Sequence, residues 1–549
     1  MPSRRPCLAS GRALHGAVRE GGLGLALVAL VLVLGCARPK AAAPTALCVE
    51  VESSPLSFDP RFATDAVSSR VGELLFDALL RVDAAGRFKG NLAESVESPA
   101  PLTLVFHLRP GARFTDGRPL TARDVKYSYD SVRDPATLSP KRAGLEPLAQ
   151  VLALDRRTVV MRLKRVYAPA LEMALLGVVP YGTPARPKAG PRAVVGSGPL
   201  RLVRFVRDDR VELARNRFRP APVGAPRRVI FRIVPDPTVR VLALAKGSCD
   251  FAENNIESAL LPYLERRPAL RLERAPGTSY AYLAFNFRDR RLADLRVRRA
   301  IAYALDRESI VRFLLHDTAR LASGMLAPEN WAWEPDVARY DYRPERARRL
   351  LDEAGYPADS AGMRRLELVF KTTPEGRWLG EVFQGMLKAV GVRLRVRVNE
   401  WATFYADIQR GNFDLAALQW VGVNDPHHYY MIFDSRMTPP RGLNRGAYGN
   451  PEMDRLVEAG EVALEPQKRR RIYAAVQKLA AADLPYVSLW WSDNVVVMKR
   501  RVEGFKPYPN GSLRSLAAVT LESRAELFHP AASSAAAKRS AGGDPAGGR

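Results

Sequence analysis

Apolar positions along the chain follow two rhythms that keep alternating. Leu102-Thr103-Leu104-Val105-Phe106-His107-Leu108 is dense in β-formers and is closed by the turn signals Pro110-Gly111 and Asp116-Gly117, which predicts a strand. Directly afterwards, Thr121-Ala122-Arg123-Asp124 has the spacing of a capping box, and Val125, Tyr129 and Val132 carry it on as a helix. Tyr280-Ala281-Tyr282-Leu283-Ala284-Phe285-Asn286 reads as a buried strand. The segment after it places Leu295, Ile301, Ala304 and Leu305 near one helical face, with Arg296, Arg298 and Arg299 largely elsewhere. Pro344 lies near the start of another helix, with Leu350-Leu351 in its core and stop signals at Gly355 and Pro357. Asn450-Pro451 and Pro466 open two more, the second running toward Leu479, and residues 486–497 are strand-like again. There is no repeat at a fixed period. Strands and helices mixed along the whole body predict an α/β architecture.

The two ends break this pattern. Arg4, Arg5, Arg12 and Arg19 precede an uncharged apolar run over residues 23–34, which meets Gly35-Cys36. A basic start, a short apolar run and a small residue before a cut describe a secretory signal. The run is too short to span a bilayer comfortably, which takes about 20 residues. Val33-Leu34-Gly35-Cys36 resembles the lipobox of bacterial lipoproteins, which implies a signal peptide over 1–36, lipidation at Cys36 and an Ala/Pro linker over 37–46. The expected location is therefore the periplasmic face of a bacterial membrane, held by a lipid anchor. From Ser523 the composition falls to Ala, Ser, Gly and Lys/Arg, which predicts a disordered tail over 523–549.

The 549 residues are 47% hydrophobic and 26% charged, ordinary for a globular chain long enough for several domains or lobes. The formal net charge of +26 would suit nucleic acid or an anionic surface. The basic residues are dispersed, however, with no zinc-finger spacing and no RNP-like strand, so a solvated Arg-rich surface is expected and no nucleic-acid partner. No Gly-x-Ser-x-Gly elbow, metalloprotease motif or P-loop is present, which argues against an enzyme. Of the four cysteines, Cys7 and Cys36 belong to the leader. Cys48 and Cys249 either bridge neighbouring strands or remain buried thiols, since spacing alone cannot supply the geometry.

A series of segments in a shared order resembles the extracellular solute-binding family that includes oligopeptide-, dipeptide- and nickel-binding proteins of ABC importers. They begin with Leu56-Ser57-Phe58-Asp59-Pro60 and the run over 73–79, followed by Phe106-His107-Leu108-Arg109 through Asp116-Gly117 to Thr121-Ala122-Arg123-Asp124-Val125. Then come Gly196-Ser197-Gly198-Pro199, Gly247-Ser248-Cys249-Asp250, Val297-Arg298-Arg299-Ala300-Ile301, Gly411-Asn412-Phe413-Asp414, Trp420 with Asp425-Pro426, and Asn450-Pro451-Glu452. The resemblance implies a two-lobed, type II periplasmic-binding-protein fold, or Venus flytrap, with an extra domain in the N-terminal lobe. The implied boundaries are 47–285 for that lobe, with the insertion at about 90–192, then 286–488 for the second lobe and 489–522 for the return. The crossings would lie near Phe285-Asn286 and Leu489-Trp490-Trp491. A small solute, a peptide among the options, would be enclosed between the lobes of a monomer and passed to an importer permease. A sensor that reports the ligand to a membrane partner without transport is the alternative.

Peptide binders of this family anchor the ligand's amine with an Asp shortly after a Trp. Here Trp420-Val421-Gly422-Val423-Asn424-Asp425-Pro426 puts Val423 where that acid belongs, so Asp425 either substitutes or merely caps the turn before Pro426. Trp401 and Trp420 are candidates for stacking on ligand, and Asn424 and Asp425 for polar contacts. Asn286 serves the ligand or the hinge, Gly198 a tight loop beside the cleft, and Tyr280 is a weaker candidate. Adjacent side chains such as His427-His428 diverge and lack a third ligand nearby, so no metal site and no cofactor are expected.

Overall fold

The computed structural model describes residues 46–522 apart from 84, 85, 186–193 and 255. The leader, Cys36 and the tail from 523 lie outside the described residues. Among the described residues, no helix is long and apolar enough to cross a membrane.

An eleven-stranded sheet runs through the molecule. From one edge its order is Arg393–Val398, Glu367–Thr372, Leu415–Trp420, Leu270–Phe285, Tyr486–Lys499, Phe251–Glu253, Ala46–Val51, Arg228–Ile233, Arg210–Arg215 and Leu200–Val206, with Ala319–Leu321 pairing Tyr486–Lys499 off this path. The two long central strands are antiparallel and change neighbours along their length. Residues 270–275 pair with 494–499 at the end where Phe251–Glu253 also joins, whereas 280–285 ladder with Leu415–Trp420. Between these stretches the register shifts, from Ala275 to Ser279. Gly277 sits in that gap because a Cβ there would lie 2.1 Å from the Ser492 carbonyl oxygen. The change of neighbours thus falls upstream of the Phe285-Asn286 crossing that the sequence suggested. Phe285 itself is fully buried against Leu368, Phe370 and Phe383.

Strand alternation sorts the side chains into separate cores. Toward the sheet edge at Arg393–Val398, Ala281, Leu283 and Phe285 face one core, and Tyr280, Tyr282 and Ala284 face another with Tyr429, Ile432 and Trp491. In the first lobe, Leu47, Val49 and Val51 pack with Phe231, Phe251 and Met498, while Ala252, Val495 and Val497 pack the opposite face with Val241 and Leu244. The backside residues of the first strand include Cys48, which forms a disulfide with Cys249 across 201 residues of sequence. Closing so long a loop restricts the unfolded chain and contributes about 3–5 kcal/mol.

A third core belongs to residues inserted between the first strand and Leu200–Val206. There Phe106, Val125, Tyr129, Val159 and Met161 pack a four-stranded sheet, Ala93–Ala100, Thr103–Leu108, Thr158–Leu163 and Leu148–Ala153 in that order. The helix Ala122–Arg133 covers it, and its N-terminus is the box read from sequence: the Thr121 N–H and hydroxyl both donate to Asp124 Oδ2 at 2.8 Å. The helices Pro344–Glu353 and Pro451–Val462 and the strand Tyr486–Lys499 also form where their signals lie. The helix Pro466–Asp483 outlasts Leu479 because Ala480, Ala481 and Ala482 continue it at low entropic cost.

Candidate functional site

The insertion and the first lobe face the second lobe across a cleft whose two walls differ in how they hold charge. The second wall is built at the end of the strand Leu415–Trp420, where the chain turns through Val423, Asn424 and Asp425 into the short helix His428–Phe433. Asp425 is only 5% exposed. It accepts from both ends of the Arg469 guanidinium, Nη2 to Oδ1 at 2.6 Å and Nη1 to Oδ2 at 2.9 Å, and from the His427 N–H at 2.8 Å. Burial works against the Arg469 charge, but the bonds to Asp425 hold that guanidinium above its ordinary pKa. With both oxygens bonded to Arg469 and one also to the His427 N–H, Asp425 organises the turn. Asn424 is fixed through its carbonyl, which accepts from Asn330 Nδ2 at 2.7 Å.

Asn424 reaches two adjoining cavities. One, of ≈ 190 Å³, lies between Val82, Asp83 and Asn510 on the first side and Thr278, Trp331 and Val423 on the other. The next, of ≈ 170 Å³, lies beneath Asn424 and is lined by the helix Ala66–Leu75, the strand Leu80–Val82, Lys141 and the return segment at Asn510 to Arg514. A third, of ≈ 250 Å³, opens between Ala168, Pro169 and Leu171 of the insertion and Trp331, Asp425 and Arg469. The insertion also touches the second lobe directly. Tyr167 meets His427 Nε2 through its hydroxyl at 3.3 Å, and the other ring nitrogen of His427 pairs with Glu461. Nearby, Glu172 Oε1 is buried with no hydrogen-bond partner, and burial, with the Asp425 charge, pushes this carboxyl up to about 7.

The remaining sequence-predicted residues stand away from these cavities. Trp401 is 57% exposed at the head of the helix Trp401–Arg410 and lies against Tyr405. Trp420 is half-buried, parallel to Tyr282 and under the Arg445 guanidinium at 4.8 Å. Asn286 donates from Nδ2 to the carbonyls of Gly411 at 2.8 Å and Phe413 at 2.7 Å, so its amide ties loops of the second lobe together. Gly198 lets the backbone come against the end of the helix Ala66–Leu75, where a Cβ would lie 2.4 Å from the Leu74 carbonyl oxygen. Tyr280 bonds Ser488 through its hydroxyl at 2.7 Å and lines a separate ≈ 340 Å³ cavity inside the second lobe with Arg307 and Trp491. His427 and His428 turn to different partners, His428 toward the Asp425 carbonyl. Among the described residues, no group of three or more His, Cys, Asp or Glu is arranged to hold a metal ion. Sequence reasoning missed Trp331, Arg81, Lys141 and Arg514. Trp331, an aromatic in a polar loop, carried a detectable signal; the three cations were lost among a dispersed population of Arg and Lys.

Residues 87–438 match the family described as bacterial extracellular solute-binding proteins, family 5 Middle. The chain belongs to this family. Family-5 relatives include the "Probable di/tripeptide-binding protein 5" of Pseudomonas aeruginosa (strain UCBPP-PA14), 28% identical over 541 residues and covering 90% of this chain and 98% of the relative. The oligopeptide-binding protein AppA of Bacillus subtilis (strain 168) is 26% identical over 490 residues, covering 84% and 89% respectively. Solved structures share the fold: AppA from Bacillus subtilis in complex with a nonapeptide at a TM-score of 0.75 and 23% identity, covering 87% of this chain and 99% of that one. NikA from Brucella suis in complex with Fe(III)-EDTA gives a TM-score of 0.80 at 22% identity, covering 87% and 100%. The α/β, two-lobed periplasmic-binding-protein architecture expected from sequence is therefore the observed one, and the protein is a solute-binding protein.

Proposed function

We propose that this chain captures a peptide or another small solute between its lobes, without transforming it, and delivers it to the permease of an ABC importer. The observation that carries this reading is the cleft at Asn424, which is lined from both lobes and holds polar groups from each. Each lobe has its own packed core, and the lobes share two long strands that are irregular where they change neighbours. We place the passage between lobes at 275–279 and opposite it at 492–494. A solute that touches both walls binds the closed arrangement better than the open one and shifts the population toward it, giving a permease a shape to read. Lipidation of Cys36 would hold the monomer at the membrane within reach of that permease.

The test is a thermal-shift screen of di- and tripeptides, nickel chelates, sugars and opines, since a true ligand raises the Tm by binding the native state alone. Hits are followed by small-angle X-ray scattering, where the radius of gyration should fall on binding. Chemical turnover of the bound solute, or binding with no change in scattering, would overturn the capture reading. For the anchor, Cys36→Ala should move the protein from the membrane to the soluble fraction; unchanged retention would refute lipidation.

A further inference from the structure

The cavity beneath Asn424 has four charged residues in its lining: Glu73, Arg81, Lys141 and Arg514. They are not equally committed. Glu73 bonds the Ser512 hydroxyl and lies near Arg514 and Arg70, and burial raises its carboxyl pKa, which weakens it as an anion. Arg514 gives Asp77 one long contact, Nη2 to Oδ1 at 3.4 Å, and Asp77 is also shared with Arg109 and Arg219. Among the described residues, the side chains of Arg81 and Lys141 make no hydrogen bond and no ion pair. The acid that Lys141 senses is Asp59, whose carboxylate is already held by Arg61 through Nε and Nη2, the closest contact being 2.6 Å. A half-buried ammonium in this position loses hydration without gaining a counter-ion, so burial pulls its pKa down.

The acids around the adjoining cavity cannot supply that counter-ion. Glu329 is bound by Arg320 at 2.7 Å and Asp83 by Arg87 at 3.2 Å, while Asp425, at the third cavity, is held by Arg469. The cleft therefore holds cations awaiting a partner, while its carboxylates are either occupied or weakened.

We propose that the cavity beneath Asn424 receives an anionic group of the captured solute, a carboxylate or a phosphate, on Lys141 and Arg81 with Arg514 beside them. This rests on the capture reading above and narrows it to solutes that present an anion to the first wall and need no free amine for the second. Arg81 and Arg514 supply forked donors suited to a planar or tetrahedral oxyanion, and Lys141 a point charge.

The test is isothermal titration of the full chain with N-acetyl-dialanine, its C-terminal amide and inorganic phosphate. N-acetyl-dialanine and the amide both lack an amine and differ in charge alone; phosphate separates a general oxyanion site from one fitted to carboxylates. The wild-type protein should bind N-acetyl-dialanine or phosphate, and the amide at least ~tenfold more weakly than the acid wherever the acid binds. Lys141→Met combined with Arg81→Met should abolish the preference, Lys141→Arg should keep it, and Arg441→Met at an exposed position of the second lobe should leave it unchanged. Melting curves of each variant establish folding; should the double variant fail to fold, Lys141→Met alone carries the comparison. Equal binding of acid and amide, or a preference that survives Lys141→Met with Arg81→Met, overturns the proposal. Absence of binding by both anionic probes overturns it as well. In that last case any screened solute that still contracts the scattering profile leaves the capture reading standing, whereas no contraction with any of them removes both.

Discussion

The two walls of the cleft treat charge in opposite ways. On the second lobe, Asp425 and Arg469 neutralise each other in a buried, two-pronged pair that also fixes the His427 backbone. On the first side, Arg81 and Lys141 line a cavity with no such mate among the described residues. A charge answered inside the protein shapes a wall, and one left unanswered is available to read a guest. The contrast also bears on the acid-after-Trp reading: Val423 stands in that place, and Asp425, two residues on, is paired with Arg469.

The contrast can be broken most severely at the matched pair. Arg469→Met should strand a buried carboxylate and cost about 3–5 kcal/mol in urea denaturation. Lys141→Met should stay within about 0.5 kcal/mol of wild type or stabilise slightly, as expected where no partner is lost. Equal losses would show that the walls do not differ. The disulfide sharpens the comparison between lobes. Cys48→Ser with Cys249→Ser should cost about 2–5 kcal/mol, with hydrogen-exchange protection falling in Ala46–Val51 and Arg228–Ile233 before it falls in Glu367–Thr372.

A smaller effect concerns Glu253 in the first lobe, whose two carboxylate oxygens are buried without hydrogen-bond partners and whose pKa is raised by burial from 4.5 to about 7. A carboxyl with a raised native pKa adds stability below its unfolded value and loses that contribution as pH climbs through the native value. Stability should therefore decline between about pH 4.5 and 7, and Glu253→Gln should flatten that decline by about 1–3 kcal/mol in melts at pH 5 and pH 8. The smallest effects separate two tryptophans. Trp331, 42% exposed and lining the cleft, should weaken binding of a screened ligand by roughly 1 kcal/mol when changed to Ala. Trp401→Ala, outside the cleft, should change it by less than about 0.5 kcal/mol in the same titration.

Much of the scaffold was legible because local chemistry decides it. The Thr121–Asp124 box, the prolines at 344, 451 and 466, and the β-branched run from 486 each mark an element that forms there. The central strand was read only from Tyr280, although it begins at Leu270. Its first half carries Arg271, Glu273 and Arg274, which lack the apolar density of a buried strand yet are held by pairing with residues 495–498. The disulfide could not be chosen from sequence, since it depends on two distant segments meeting in one sheet. The site was the least legible part. Asn424 could be named from its place after Trp420, whereas Lys141, Arg81 and Arg514 converge from three separate stretches and matter for the partners they lack.

The ladder partners of Ala46–Val51 are Arg228–Ile233 and Phe251–Glu253, so the first strand of the fold depends on segments synthesised long after it. The parallel strands of the other lobe, 367–372, 393–398 and 415–420, are near neighbours in the chain. Because short-range contacts assemble faster than long-range ones, the half of the molecule that leaves the ribosome later should mature earlier. Pulse-labelled exchange during refolding would record protection at 367–372 ahead of 46–51; the reverse order would refute it. Until the Cys48–Cys249 bridge closes, the newborn chain would carry an apolar ribbon and two reactive thiols, which makes that interval its most exposed moment to aggregation and to capture by other thiols.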